Sequence, residues 1–225
     1  MKIKELVLYT KSLQAEKDFY KNTLGFEIVE DKQTSFAAQI GNSILRFEKS
    51  DKQYYYHYCF LIPRNKLPEA LVWLQKRLKV INIEKDRVTQ IFDSWNAESV
   101  YFYDASGNVA ELIVRYDLEN DSDDEFTINS IININEIGLG SSKSEQLNKQ
   151  LESELGSMFW KGDKIRFGTN GSQEGIFLLP NYKYKALWFP TRVKVAASPI
   201  KAIISQDMKK YSLIFENEEL KIIAL

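Results

Sequence analysis

One histidine and one cysteine are all that the 225-residue chain offers of the two side chains most often used as soft metal ligands. A single His excludes a three-His site, a His-His-Glu site and any paired-histidine acid/base mechanism. A single Cys, Cys59, excludes an internal disulfide framework, a Cys-x-x-Cys redox pair and a structural zinc knuckle. Charge of one sign is also missing: 30 Lys+Arg face 31 Asp+Glu, for a net charge of -1. That leaves no basic surplus for a nucleic-acid backbone. No apolar run approaches the ~20 residues that cross a bilayer. The first residues run straight into a strand-like stretch, without the apolar centre and small-residue cleavage site of a signal peptide. These absences predict a cytoplasmic protein whose partner is a small molecule, not nucleic acid or membrane, acting as a monomer or homodimer. What is present is ordinary for a globular chain: 44% hydrophobic and 27% charged residues.

The order of elements repeats. Residues 3–9 are β-rich, Ser12 stands where a helix N-cap belongs, and residues 13–23 have helical character until Gly25. Short strands follow at 26–30, 36–40 and 44–48, the last two joined at Gly41 and Asn42. A second β-α-β-β-β unit begins at Tyr56. Leu67, Leu71, Leu74 and Leu78 mark its helix, and strands are expected at 89–92, 99–103 and 109–114. Residues 117–125 are almost all polar and read as an acidic linker; an EF-hand there lacks its central Gly and closing Glu. After it the first unit returns. Glu5, Leu6, Val7 and Leu8 before Leu24 and Gly25 correspond, without a gap, to Glu136, Ile137, Gly138 and Leu139 before Leu155 and Gly156. Strands at 165–167 and 175–179 continue this third unit, and 192–196 with 211–225 read as a shortened fourth. The run from Gly138 to Ser144 imitates a phosphate loop, but its spacing fits none, and its alignment with residues 7–13 makes it a strand-to-helix turn.

These residues resemble the vicinal oxygen chelate superfamily, which includes glyoxalase I, bleomycin-resistance proteins, fosfomycin-modifying enzymes and extradiol dioxygenases. The resemblance lies in Phe19 and Tyr20 before Leu24, Gly25 and Phe26, in the strand from His57 to Pro63, and in the stretch from Tyr101 through Asp104, Gly107 and Asn108 to Glu111. It covers residues 1–116 well and 126–225 weakly. It implies an α+β fold of tandem paired βαβββ modules with a degenerate C-terminal half. The implied domains are 1–116 and 126–225, joined by 117–125. Metal ligands in the superfamily stand on the first strand of each module and on the last strand of the second, here Glu5, His57 and Glu111. Glu111 is also the implied catalytic carboxylate. Such a set suits a divalent Fe, Mn, Ni or Zn ion with positions open to a substrate's vicinal oxygens. Strand alternation puts His57, Cys59 and Leu61 on one face and Tyr58, Phe60 and Ile62 on the other. Tyr9, Arg46, Trp95, Asn96 and Tyr101 are expected to shape the substrate pocket. The C-terminal half, with Glu136 at the Glu5 position but no His, is expected to hold no metal. Two functions stay open: a metal-dependent enzyme acting on vicinal oxygens, or a metal-free binding protein of the bleomycin-resistance kind.

Overall fold

The computed structural model describes residues 1–225. The first unit holds β1 (Lys2–Thr10), α1 (Leu13–Asp18), β2 (Ile28–Lys32), β3 (Ser35–Ile40) and β4 (Ser43–Lys49). The second holds β5 (His57–Leu61), α2 (Leu67–Gln75), β6 (Thr89–Phe92), β7 (Ala97–Tyr103) and β8 (Val109–Arg115). The third holds β9 (Asn133–Gly138), α3 (Ser144–Gln150), β10 (Phe159–Asp163), β11 (Phe167–Ser172) and β12 (Gly175–Pro180). The fourth has lost its helix and keeps β13 (Ile200–Gln206), β14 (Lys209–Glu216) and β15 (Glu219–Ala224). Residues 192–196, expected as a strand, instead lie in a long irregular strap between β12 and β13 that makes one isolated bridge, Leu187 to Lys194.

Units one and three repeat down to their irregularities. In both, the helix runs into a π-helical turn, Phe19–Leu24 and Leu151–Leu155, and ends on a left-handed glycine, Gly25 (φ 87°) and Gly156 (φ 73°). Ser12 occupies the N-cap position without a capping hydrogen bond; its backbone N–H donates instead to Thr10 Oγ1 at 3.0 Å.

The units do not pair as neighbours in sequence. A seven-stranded sheet runs β15-β14-β13-β1-β4-β3-β2, and an eight-stranded sheet runs β10-β11-β12-β9-β5-β8-β7-β6. Unit one therefore joins unit four, and unit two joins unit three, across the expected division at 117–125. The joints are antiparallel pairs of first strands, β1 with β13 and β5 with β9. Every unit presents the same kind of first-strand edge, so pattern alone does not choose between partners. Each joint has a bulge, between Ile3 and Glu5 and between Cys59 and Phe60.

One apolar core of 40 residues lies between the sheets. Leu6 and Leu8, Tyr58 and Phe60, and Ile134 and Ile137 enter it from β1, β5 and β9, and Leu74 and Leu147 from the helices. Cys59, Leu61 and Ile113 pack on the opposite face, as the alternation of β5 requires. That second face of the eight-stranded sheet holds the site.

Candidate functional site

Strand alternation along β8 sends Ala110, Leu112 and Val114 into the core, and turns Glu111 and Arg115 to the other face. The register puts Glu111 beside Cys59, two positions along from His57 and Val109 and so on the same face. The bulge in β9 does the rest. Glu136 pairs with Cys59 and Ile134 with Phe60, so Asn135 is the extra residue. Two consecutive polar side chains thus leave the core on the same side. His57, Glu111 and Glu136, all at most 5% exposed, come together with potential ligand atoms within 4.8 Å of one another.

His57 Nδ1 is 3.0 Å from the Val109 carbonyl oxygen, to which it donates, so Nε2 faces Glu111 Oε2 at 3.3 Å. Burial works against the imidazolium, but the bond to Glu111 and the carboxylate charges outweigh it and raise the His57 pKa. Burial pushes the Glu136 carboxyl up to about 7, with the charge of Arg115 opposing and that of Glu111 reinforcing the rise. Arg115 is fully buried. Its guanidinium donates to Glu136 and, at 2.9 Å, to Asn135 Oδ1. It also lies 5.3 Å from the Trp160 ring centroid and 5.8 Å from that of Trp95. Cys59 is buried close by, and desolvation with two neighbouring carboxylates raises its pKa well above the ordinary thiol, which keeps it a neutral, unreactive thiol.

The cluster forms the floor of a cavity of about 260 Å³, walled by Phe92, Trp95, Tyr101, Phe167, Trp188 and Phe189, with Lys185 in the lining. Larger depressions exist, such as a groove of about 690 Å³ beside Lys2, Asn42 and Asp117, but it is open, mainly polar and lacks any such cluster. Trp188 closes the cavity from the strap. Its ring centroid is 5.0 Å from that of His57, and it lies directly on Gly138, where any Cβ would overlap the indole. Gly138 is therefore a seat for Trp188, at the end of β9 where the expected strand-to-helix turn toward Ser144 begins.

The sequence-expected residues divide cleanly. His57, Glu111, Trp95 and Tyr101 meet around this cavity. Glu5 does not join them, which corrects the expected ligand set. It stands on β1 in the other sheet, bonded to Arg46 Nε at 2.9 Å, and Arg46 also binds Glu30. Arg46 and Tyr9 are on that sheet too, not at the cavity, because unit one pairs with unit four. Asn96 takes a left-handed turn (φ 47°) and donates to Asp117 at 2.6 Å; it is outside the lining. Glu136, the counterpart of Glu5 in the C-terminal half, is the residue that joins His57 and Glu111. Phe92, Lys185, Trp188 and Phe189 were not anticipated. Glu136 was visible in the repeat, as the counterpart of Glu5, but with no sign of where β9 would pair.

One imidazole whose Nε2 faces a carboxylate, with a second carboxylate beside it in the same pocket, is a donor set that fits a divalent cation. Holding the imidazole through Nδ1 on a backbone carbonyl is the usual way to orient such a ligand.

No family model and no curated protein matches the chain. Among solved structures, it is similar over its whole length to one from Bacillus subtilis subsp. subtilis str. 168 described as a "putative dioxygenase", at 15% identity and a TM-score of 0.63, covering 84% of that chain. It is also similar to lactoylglutathione lyase from Agrobacterium tumefaciens, at 20% identity and a TM-score of 0.42, over 50% of this chain and 92% of that one. A glyoxalase/bleomycin resistance protein/dioxygenase from Nocardioides matches at 17% identity and a TM-score of 0.41, over 56% of this chain and 89% of that one. The duplicated βαβββ units, the first-strand joints and the full-length likeness agree: the chain has the tandem α+β fold of the vicinal oxygen chelate proteins.

Proposed function

We propose that the protein is a divalent-metal-dependent enzyme acting on a small substrate with vicinal oxygens, and that its site is the His57, Glu111 and Glu136 cavity. The observation that supports this most is the convergence of the chain's one imidazole with two buried carboxylates in an apolar, tryptophan-capped pocket. His57 Nε2, Glu111 and Glu136 would hold the ion, which as a Lewis acid supplies polarisation of a bound oxygen. The remaining work belongs to the chain. Val109 fixes the imidazole. Asn135 positions Arg115, which in turn orients Glu136. Trp188, buried against His57, keeps water from that side of the cluster, which strengthens the charge interactions there. Glu111, a ligand in this reading, is also the carboxylate nearest the imidazole and so the group we assign to proton transfer at the substrate.

The test is metal content after anaerobic reconstitution with Fe, Mn, Ni and Zn, for the wild type and His57→Ala. The expected result is one ion per chain, lost in the variant. No stoichiometric ion in the wild type overturns the reading.

One observation favours a metal-free binding protein as the second reading. Arg115 already pairs with Glu136, and a protonated His57 would pair with Glu111, so the cluster can compensate its own charge. Under this reading aromatic ligands stabilise the protein equally with and without chelator.

A further inference from the structure

The cavity contains a cation that the metal reading does not use. Lys185 lies in its lining, half-buried. Its ammonium makes no hydrogen bond and no ion pair; its one close partner is the Phe167 ring, 5.3 Å from centroid to Nζ. Burial lowers its pKa, and the neighbouring charge that acts on it is Arg166, another cation. The Phe167 ring beneath it is on β11, which β12 separates from β9 and Glu136, so the ammonium belongs to the end of the cavity away from the cluster. A second group in the wall is also unpaired. Trp188 is 3% exposed and its Nε1–H has no acceptor. A buried donor without a partner is costly, and so is a desolvated cation without an anion. Both costs fall when one ligand brings an anion and an acceptor into the same space.

The size of the space narrows the class. A cavity of roughly 150 Å³ holds a benzene, and drug-sized ligands occupy roughly 300–1,000 Å³. At about 260 Å³, this cavity matches one ring with short substituents. Its walls are aromatic rings, which favour a flat partner.

We infer that the ligand is a single-ring aromatic carboxylate, with its carboxylate held by Lys185 and its oxygen-bearing edge turned to His57, Glu111 and Glu136. The inference rests on the reading that this cavity is the ligand site, and it makes Lys185 the residue that selects the anion.

Two probes of the same shape separate the terms: 4-hydroxybenzoate and the neutral 4-hydroxybenzamide. Their affinities are measured calorimetrically near neutral pH for the wild type, Lys185→Met and Lys185→Arg, each metal-reconstituted and each treated with chelator. The carboxylate should bind the wild type more tightly than the amide by at least about tenfold. Lys185→Met should bring the two probes to equal affinity, while Lys185→Arg keeps the preference. Equal affinities in the wild type, a preference that survives Lys185→Met, or no binding of either probe would each overturn the inference. A preference for the carboxylate that persists with chelator, in a protein that takes up no metal, would overturn the metal reading and leave this one standing.

Discussion

The two sheets are the same device with different charges. In each, a bulged first strand from one unit meets a first strand from another, and the bulge is followed by a glutamate: Glu136 opposite Cys59, and Glu5 opposite Ile203. Two residues back along the partner strands stand His57 and Lys201. Two residues beyond the glutamates stand Gly138 and Val7, whose neighbours on the next strand are Leu178 and Arg46. The eight-stranded sheet thus pairs an imidazole, a glycine and a leucine with its glutamate. The seven-stranded sheet puts Lys201, Val7 and Arg46 in those places. There Arg46 binds Glu5 and Glu30, Lys201 binds Glu48 at 3.1 Å, and the ion pairs are partly open to water. The missing side chain at Gly138 lets Trp188 lie against His57, beside the other glutamate. A shared backbone therefore yields a buried cluster of one imidazole and two carboxylates on one sheet and a partly exposed set of ion pairs on the other, with three positions making the difference.

The arginines should separate the sheets most strongly. Arg115→Met leaves Glu136 buried without its partner, and such a loss costs about 3–5 kcal/mol. Arg46→Met on the other sheet removes two partly exposed pairs, each worth about 0–1 kcal/mol. Urea denaturation of both variants measures the contrast; comparable losses would break it.

Gly138→Val installs the residue that the first sheet has at this place. The new side chain must displace Trp188, and overpacking of this kind costs about 1–3 kcal/mol. Quenching of tryptophan fluorescence by iodide should rise as Trp188 leaves its seat.

A pH-dependent effect concerns the latch between the sheets. Glu16 of α1 is buried against Asp104, and its Oε1 accepts from Ser106 N at 2.7 Å. Asp104 in turn accepts from Tyr58 at 2.6 Å and from the Asn108 amide. Burial and the charge of Asp104 raise the Glu16 pKa to about 9 from 4.5. Between those values the folded chain keeps a proton that the unfolded chain releases. Stability should then be highest below the unfolded value and fall as pH rises toward the folded one, by at most about 1.4 kcal/mol per pH unit. Glu16→Gln should flatten that slope. The corresponding residue of unit three is the buried Leu147, and the repeat has no such titration there. An unchanged slope in the variant would remove Glu16 from the account.

Glu5→Gln should have the smallest effect, within about 1 kcal/mol, since it breaks one partly exposed pair.

Much of this was legible before the fold was known, and for definite reasons. The alternation of His57, Cys59 and Leu61 against Tyr58, Phe60 and Ile62 follows from strand geometry. The ungapped match between residues 5–25 and 136–156 reported a duplication that extends to both π-helical turns and both bulges. Two things were hidden. The choice of joint was one, because equal edges carry no label, and it displaced Glu5, Tyr9 and Arg46 from the site while admitting Glu136. The strap was the other. Trp188, Phe189 and Lys185 sit in a segment without periodicity, and the visible trace of it was a glycine, Gly138, where the repeat has Val7.

The central claim is that the ligand-ready glutamate is Glu136 and not its counterpart. Metal titration of Glu136→Gln and Glu5→Gln, side by side with the wild type, tests it most directly. Glu136→Gln should lose more affinity than the roughly 10–100-fold that follows disturbance of a ligand's supporting contacts, and Glu5→Gln should match the wild type. Loss of the ion in Glu5→Gln, or full retention of it in Glu136→Gln, would contradict the account.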